Sequence, residues 1–240
     1  MKLEEKFGFL SRLTFLQDLA SFFIAKLNPA IIHNLAKYIA LKKVHYLSAI
    51  EGIEGDYLEF GVYNGSSFSH SLRCMRQLIK INSLVEKTTS YAFDSFEGFG
   101  DFHSDDKHPF YEQLNFKTSF KRVNQRAKKA AKQLKYEIIK GFFKDTLSVK
   151  PDHYGIKKSR IIFIDSDTYT SSILALRFAL PTIQNGSYII LDDFFSYKGD
   201  DSKGVARAFK EFKDEGQLLV RHVFNYGMCG VVFVVSGRKK

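Results

Sequence analysis

Ile161-Ile162-Phe163-Ile164-Asp165-Ser166-Asp167-Thr168-Tyr169 runs four apolar residues straight into two carboxylates spaced by one residue. An unbroken apolar run with polar ends is the pattern of a strand covered on both faces, the habit of parallel sheets in α/β proteins. Carboxylates just past the C-terminal end of such a strand lie where these sheets bind ligands. Tyr188-Ile189-Ile190-Leu191-Asp192-Asp193 repeats the design. If the two strands are neighbours, Asp165, Asp167, Asp192 and Asp193 converge on one edge, and four acids that close invite a cation.

Upstream, Gly55-Asp56-Tyr57-Leu58-Glu59-Phe60-Gly61-Val62-Tyr63-Asn64-Gly65-Ser66-Ser67 has the order strand, glycine turn, helix start. Phe68, Leu72, Met75 and Ile79 then share one helical face. Gly61 and Gly65 let a ligand approach the backbone, and the new helix offers unpaired N–H groups to an anion. The plainer reading is that any tight strand-to-helix turn needs glycine. The dinucleotide fingerprint Gly-x-Gly-x-x-Gly is absent, which argues against a nicotinamide oxidoreductase. Tyr91-Ala92-Phe93-Asp94-Ser95 ends another strand on an acid, farther from Gly61 than the roughly 20 residues usual for a ribose-binding acid. A carboxylate there still suits ribose hydroxyls, because it accepts two hydrogen bonds side by side; the alternative is a cap or turn acid.

Glu137 to Lys140 predicts a short strand, followed by Gly141-Phe142-Phe143-Lys144-Asp145-Thr146-Leu147. Beyond the opening stretch come a helix from Ser171 to Leu180 closed by Pro181, a turn at Asn185-Gly186, and the second acid-tipped strand. Asp201 and Ser202 are expected to cap a helix with Val205, Phe209 and Phe212 inward. Strands near Leu218 to Phe224 and Val231 to Val235 predict an antiparallel hairpin.

Residues 1 to 54 are mostly helical by pattern: Phe9, Leu13, Leu16, Ala20, Phe23 and Leu27 share a face, and Asn28-Pro29 caps a second helix ending near Lys43. These helices are either a layer packed on the sheet or a lid or dimerisation arm. Phe96 to Tyr111 lacks periodicity and reads as a long loop covering a pocket, with His103 and His108 as catalytic bases or, more commonly for loop histidines, solvated side chains. Phe116 to Leu134 predicts an amphipathic helix with a lysine-rich outer face. No exposed aromatics interleave there to stack bases, so a solvated face is the better reading.

The chain has 240 residues and a net charge of +10, with 45% hydrophobic and 26% charged residues. That suits one domain with an N-terminal extension at residues 1–54. The charge raises nucleic acid or an anionic surface as partners, but much of it lies between Lys117 and Lys132 and at Arg238-Lys239-Lys240, away from the acid-tipped strands. Cys74 and Cys229 have no metal-ligand spacing and fit reduced thiols in a cytoplasmic protein. No stretch approaches the roughly 20 apolar residues of a membrane span.

Together these motifs resemble the fold of S-adenosylmethionine-dependent methyltransferases. That fold implies an α/β three-layer sandwich on a seven-stranded, mostly parallel sheet with one antiparallel strand, here over residues 55–240. More finely, Leu-Glu-Phe-Gly-Val-Tyr-Asn-Gly, Phe-Asp-Ser-Phe-Glu-Gly, Gly-Phe-Phe-Lys-Asp-Thr-Leu, Ile-Asp-Ser-Asp-Thr-Tyr and Tyr-Ile-Ile-Leu-Asp-Asp-Phe, in this order, resemble the macrocin O-methyltransferase family. The resemblance implies methyl transfer to a sugar or glycosylated small-molecule hydroxyl. It implies magnesium or another divalent cation held by Asp165, Asp192 and Asp193, with Asp167 as general base. It also implies a cofactor pocket from Glu59, Gly61, Gly65, Ser66, Asp94 and Ser95, with Gly141 and Phe142 near the adenine. Family members often have glycine where Ser166 stands. The rivals are a nucleic-acid methyltransferase, which would favour an Asn/Asp-Pro-Pro-Tyr/Phe motif in place of Asp-Ser-Asp-Thr, and a non-catalytic protein that kept the fold. A homo-oligomer built on the aromatic first helix is a further expectation.

Overall fold

A computed structural model describes residues 8, 13–100, 103–111 and 116–239. Helices α1 (Thr14–Lys26) and α2 (Pro29–Ile50) come first, then β1 (Asp56–Phe60), α3 (Ser66–Leu78) and β2 (Ser90–Asp94). Next are α4 (Phe120–Ala131), β3 (Tyr136–Lys140), the one-turn α5 (Phe143–Thr146), β4 (Ser159–Ile164) and α6 (Tyr169–Ala179). The chain ends with β5 (Ile183–Leu191), α7 (Gly204–Glu215), β6 (Leu218–Tyr226) and β7 (Gly230–Arg238). Seven strands form one sheet in the order β3-β2-β1-β4-β5-β7-β6. Pairings from β3 through β5 are parallel, and β7 runs antiparallel to both β5 and β6.

Alternation along each central strand feeds two separate cores. Tyr57, Ile161, Phe163, Tyr188 and Ile190 face the layer made by α2, α3 and α4, whose Leu41, Val44, Phe68, Leu72 and Val123 are buried. Leu58, Phe60, Ile162, Ile164, Ile189 and Leu191 face α6 and α7, packing on Ile173, Leu176, Phe209 and Phe212. Each fully buried side chain of this size stabilises the fold by about 1.5–3 kcal/mol. Burial on both faces is why these strands are uninterrupted apolar runs.

The helical pattern is right in kind and shifted at its ends. The Asn28 side chain accepts from the Ala30 N–H at 2.9 Å with Pro29 in the first turn, as expected. α2 continues past Lys43 to Ile50, because Lys42 and Lys43 mark an exposed face and the first glycine comes only at Gly52. α4 begins at Phe120 behind the Ser119 cap and stops where Lys132 adopts φ 56°, so Phe116 lies outside it, edge-on to the Tyr63 and Phe99 rings. α6 starts at Tyr169, two residues before the expected Ser171, because the Thr168 hydroxyl caps it.

Two expectations fail outright. Asn185-Gly186 is a bulge inside β5: Ser159 pairs with Ile183 and Ile161 with Tyr188, leaving extra β5 residues between. Gly186 takes φ +87°, and a Cβ there would lie 2.4 Å from Ile53. Asp201 and Ser202 do not cap α7; Lys203 is its N-cap residue, and Ser202 instead donates to Asp200.

The N-terminal helices divide. α2 packs its inner face, including Ala40, Leu41 and Val44, into the core, whereas α1 buries none of its residues. Phe9 lies outside the described residues.

Candidate active site

The acids stand where β4 and β5 end. Ile164 pairs with Leu191, so the next residues, Asp165 and Asp192, emerge side by side. Asp165 donates its N–H to the Phe60 carbonyl and Asp192 its N–H to the Ile164 carbonyl, fixing the three strand ends together. Oxygens of Asp165, Asp192 and Asp193 lie within 4.8 Å of one another. Asp167 sits at φ 59°. That is uncommon for a non-glycine residue and is a backbone conformation concentrated at functional sites.

Asp165, Asp192 and Asp193 have partners that the sequence reading did not single out. Lys37, on the inner face of α2, places its ammonium 2.9 Å from Asp165 and 2.6 Å from Asp192. One turn earlier, His33 Nε2 lies 3.1 Å from Asp192. Met228 N–H donates to His33 Nδ1, which assigns the ring hydrogen to Nε2 and makes it the donor to Asp192. Tyr226 donates to Asp192 at 2.7 Å, and Tyr111 donates to Asp193 at 3.0 Å. The signal for Lys37 was a lysine at a position whose helical neighbours, Ala40, Leu41 and Val44, are all apolar.

Electrostatics follow from crowding. Removal from water, then the neighbouring Asp192, push the Asp165 carboxyl well above its ordinary range. Asp167 is raised in the same way, by desolvation and then Asp193, and Asp193 by desolvation and then Asp192. At Asp192 burial also acts upward, but Lys37 and His33 outweigh it and hold this carboxylate charged. Burial alone would lower Lys37; the two aspartates reverse that and keep it protonated.

The glycine turn abuts the acids. Gly61 takes φ +87°, and a Cβ there would lie 1.9 Å from the Asp165 carbonyl oxygen, so only glycine fits. Asp94 accepts from the N–H groups of Val62 and Tyr63 at 2.6 and 2.7 Å and from Phe96, binding the β2 end to this turn. Gly65, at φ +74°, precedes α3, and the Ser66 N–H donates to the Asn64 side chain. Glu59 is fully buried beneath the turn, accepting from Ser67 at 2.6 Å and from Tyr57. Ser95 donates to the Gly98 carbonyl. Gly141 donates to the Asp94 carbonyl, and Phe142 approaches Gly100.

The described part of the loop after β2 is pinned. Asp106 accepts from the Thr170 N–H, its carbonyl accepts from Tyr197, and Tyr111 reaches Asp193. His108 stacks on Tyr111 at 4.3 Å, and His103 precedes the short Ser104–Asp106 turn.

The family model described as macrocin-O-methyltransferase (TylF) matches residues 36–233. The chain belongs to the macrocin O-methyltransferase family. The match opens beside Lys37 and takes in every acid of the cluster. Mycinamicin III 3''-O-methyltransferase of Micromonospora griseorubida is 26% identical over 182 residues, covering 69% of this chain and 66% of that protein. The 8-demethyl-8-(2,3-dimethoxy-alpha-L-rhamnosyl)-tetracenomycin-C 4'-O-methyltransferase of Streptomyces olivaceus is 26% identical over 176 residues, covering 69% and 64%. The chain thus spans slightly less than two thirds of these relatives' lengths. The solved O-methyltransferase NovP shares the fold with a TM-score of 0.66 at 21% identity, over 84% of this chain and 80% of that one. A family of O-methyltransferases on this fold accounts for the sheet order and the acid-tipped strands alike.

Proposed function

We propose that this protein transfers a methyl group from S-adenosylmethionine to a sugar hydroxyl, with a divalent cation, magnesium by preference, beside the acceptor. The observation that carries this reading is the convergence of Asp165, Asp192 and Asp193, with Asp167 beside Asp193, next to the Gly61 turn, in a chain of this family. Both curated relatives are named for O-methylation, one of them on a rhamnosyl product, which supports a sugar acceptor.

The donor set fits a hard cation. Asp165, Asp192 and Asp193 offer only oxygen, in a spot the chain already neutralises with the Lys37 ammonium. Such a cation, when bound, stabilises an alkoxide and lowers the acceptor hydroxyl's pKa. Asp167, made more basic by desolvation and Asp193, is the group to accept the hydroxyl proton. Gly61, Gly65 and Ser66 form the turn and the start of α3 against which the cofactor would lie, the two glycines allowing the turn to pack closely on Asp165 and Val123. Glu59, Asp94, Ser95, Gly141 and Phe142 shape the turn and its walls. Holding both substrates at reacting distance supplies much of the acceleration. The reduced thiols Cys74 and Cys229 fit a cytoplasmic setting.

A second reading has its own observation. Lys37 already bridges Asp165 and Asp192, so an ammonium in the cation's place would make transfer metal-independent. Calorimetric binding of S-adenosylhomocysteine to metal-stripped protein, followed by magnesium titration of wild type and Asp192→Asn, separates the two. Cofactor binding with magnesium uptake lost in the variant supports the metal-dependent enzyme. Cofactor binding with no magnesium uptake by wild type supports the second reading, and no cofactor binding overturns both.

A further inference from the structure

α1 carries a broad apolar face around a narrower polar strip of Thr14, Gln17, Asp18 and Ser21, and none of its residues is buried among the described residues. Phe15 is 73% and Phe23 60% exposed, and Leu16, Phe22 and Ile24 are also open. An amphipathic helix buries its apolar face against another surface, and no described residue covers this one. The stripe continues onto the outer side of α2 through Ile31, Ile32, Leu35 and Ile39, which are exposed as well. Thirteen residues give α1 a length of about 20 Å, too short for the roughly 30 Å of a bilayer core. A 97° bend to α2 prevents the pair from making one continuous span. Among the described residues no single helix is long and apolar enough to cross a membrane. Lying in the interface is the arrangement left to this geometry.

Charge selects the occupant. Between residues 13 and 50 the only acid is Asp18, while Lys26, Lys42 and Lys43 are all exposed. Lys42 and Lys43 follow Ile39 by three and four residues, which places them on the same helical surface. Lys26 lies over the Phe22 ring. A second copy would bring the same cations against themselves, with Asp18 the only acid on either helix to pair them. An anionic lipid surface matches both the apolar stripe and its basic border, and the chain's net charge of +10 adds to the attraction.

We propose that α1 and the outer face of α2 form an interfacial anchor that seats the protein on anionic lipid bilayers. The same turns of α2 send His33 and Lys37 inward to Asp192 and Asp165. The acid cluster therefore sits about one helix diameter, some 10 Å, from the lipid-facing residues. If the methyl-transfer reading above holds, this orientation favours an acceptor carried at the bilayer surface.

Flotation of the full chain with phosphatidylcholine vesicles, with and without phosphatidylglycerol, tests the anchor. Expected is co-flotation with the phosphatidylglycerol vesicles, weakened by salt, abolished in Phe22→Asp/Phe23→Asp, and reduced roughly thirtyfold in affinity in Lys42→Gln/Lys43→Gln. Unchanged S-adenosylhomocysteine binding in both variants serves as the folding control. Absence of flotation overturns the proposal. So does a dimer, seen by sedimentation, that the Phe pair disrupts while vesicles go unbound, because the face then belongs to a second copy. A chain that floats but binds no cofactor sinks the methyltransferase reading and leaves the anchor standing.

Discussion

Lys37 is one side chain that changes the chemistry expected of its neighbours. Asp165 and Asp192 are forced together by strand register, and an ammonium between them offsets their repulsion. A cation entering among the three carboxylates competes with that ammonium. Lys37→Met is therefore expected to tighten magnesium binding by about tenfold or more, read by calorimetry; unchanged or weaker binding would mean the lysine assists the site. Gly61 shows the opposite kind of constraint, one of space. A methyl group there meets the Asp165 carbonyl at 1.9 Å in a left-handed backbone. Gly61→Ala should cost about 3 kcal/mol or more in chemical denaturation, and a loss below about 1 kcal/mol would show that the β1 and β4 ends can part. Asp165, Asp167, Asp192 and Asp193 were legible because each follows an apolar run that is itself the signal. Lys37 was not, since what gives it meaning is a partner 128 residues away. His33, Tyr111 and Tyr226 escaped for the same reason.

At the level of elements, the sequence speaks clearly where one local force dominates and poorly where two compete. β4 and the later part of β5 are covered on both faces, so burial alone dictates their composition and their ends could be read from the acids. Asn185-Gly186 carries turn chemistry, yet β4 pairing on either side keeps it within a strand, and the local preference survives only as a bulge. The start of α4 depended on which residue caps it, and Ser119 prevails over the apolar periodicity that begins at Phe116. Glu59 joins β1 to α3 through Ser67, and that joint is sensitive to pH. Burial raises its carboxyl from 4.5 to about 7, opposed by the hydroxyls of Ser67 and Tyr57. A group protonated more readily when folded than unfolded supports the fold most at low pH. This contribution is complete below about 4.5 and disappears as pH rises through about 7. Denaturant unfolding of wild type across that window should lose roughly 3 kcal/mol more than Glu59→Gln. Parallel pH profiles for the two proteins would assign Glu59 an ordinary carboxylate pKa.

For the whole molecule, the question is which parts the fold needs and which parts only the surroundings need. Sheet, inner helical layer and acid cluster are one cooperative body, because α2 supplies both core residues and the lysine at the acids. Among the described residues, α1 buries no side chain in that body. A chain beginning at Asn28 should therefore keep its thermal midpoint within about 2 °C of the full chain, since no more than a fraction of a kcal/mol is at stake. It should also keep its affinity for S-adenosylhomocysteine. A chain beginning at Glu51 loses Leu41, Val44 and their neighbours, each contributing about 1.5–3 kcal/mol. Against a total stability of about 5–15 kcal/mol, that loss leaves no cooperative transition in calorimetry. If the shorter deletion instead lowered the midpoint by about 10 °C or more, α1 would have to pack on the body in solution, and its apolar face would be core after all. A midpoint that stays put while vesicle binding disappears would separate the two roles of the N-terminal helices: α2 builds the site, and α1 decides where the site is held.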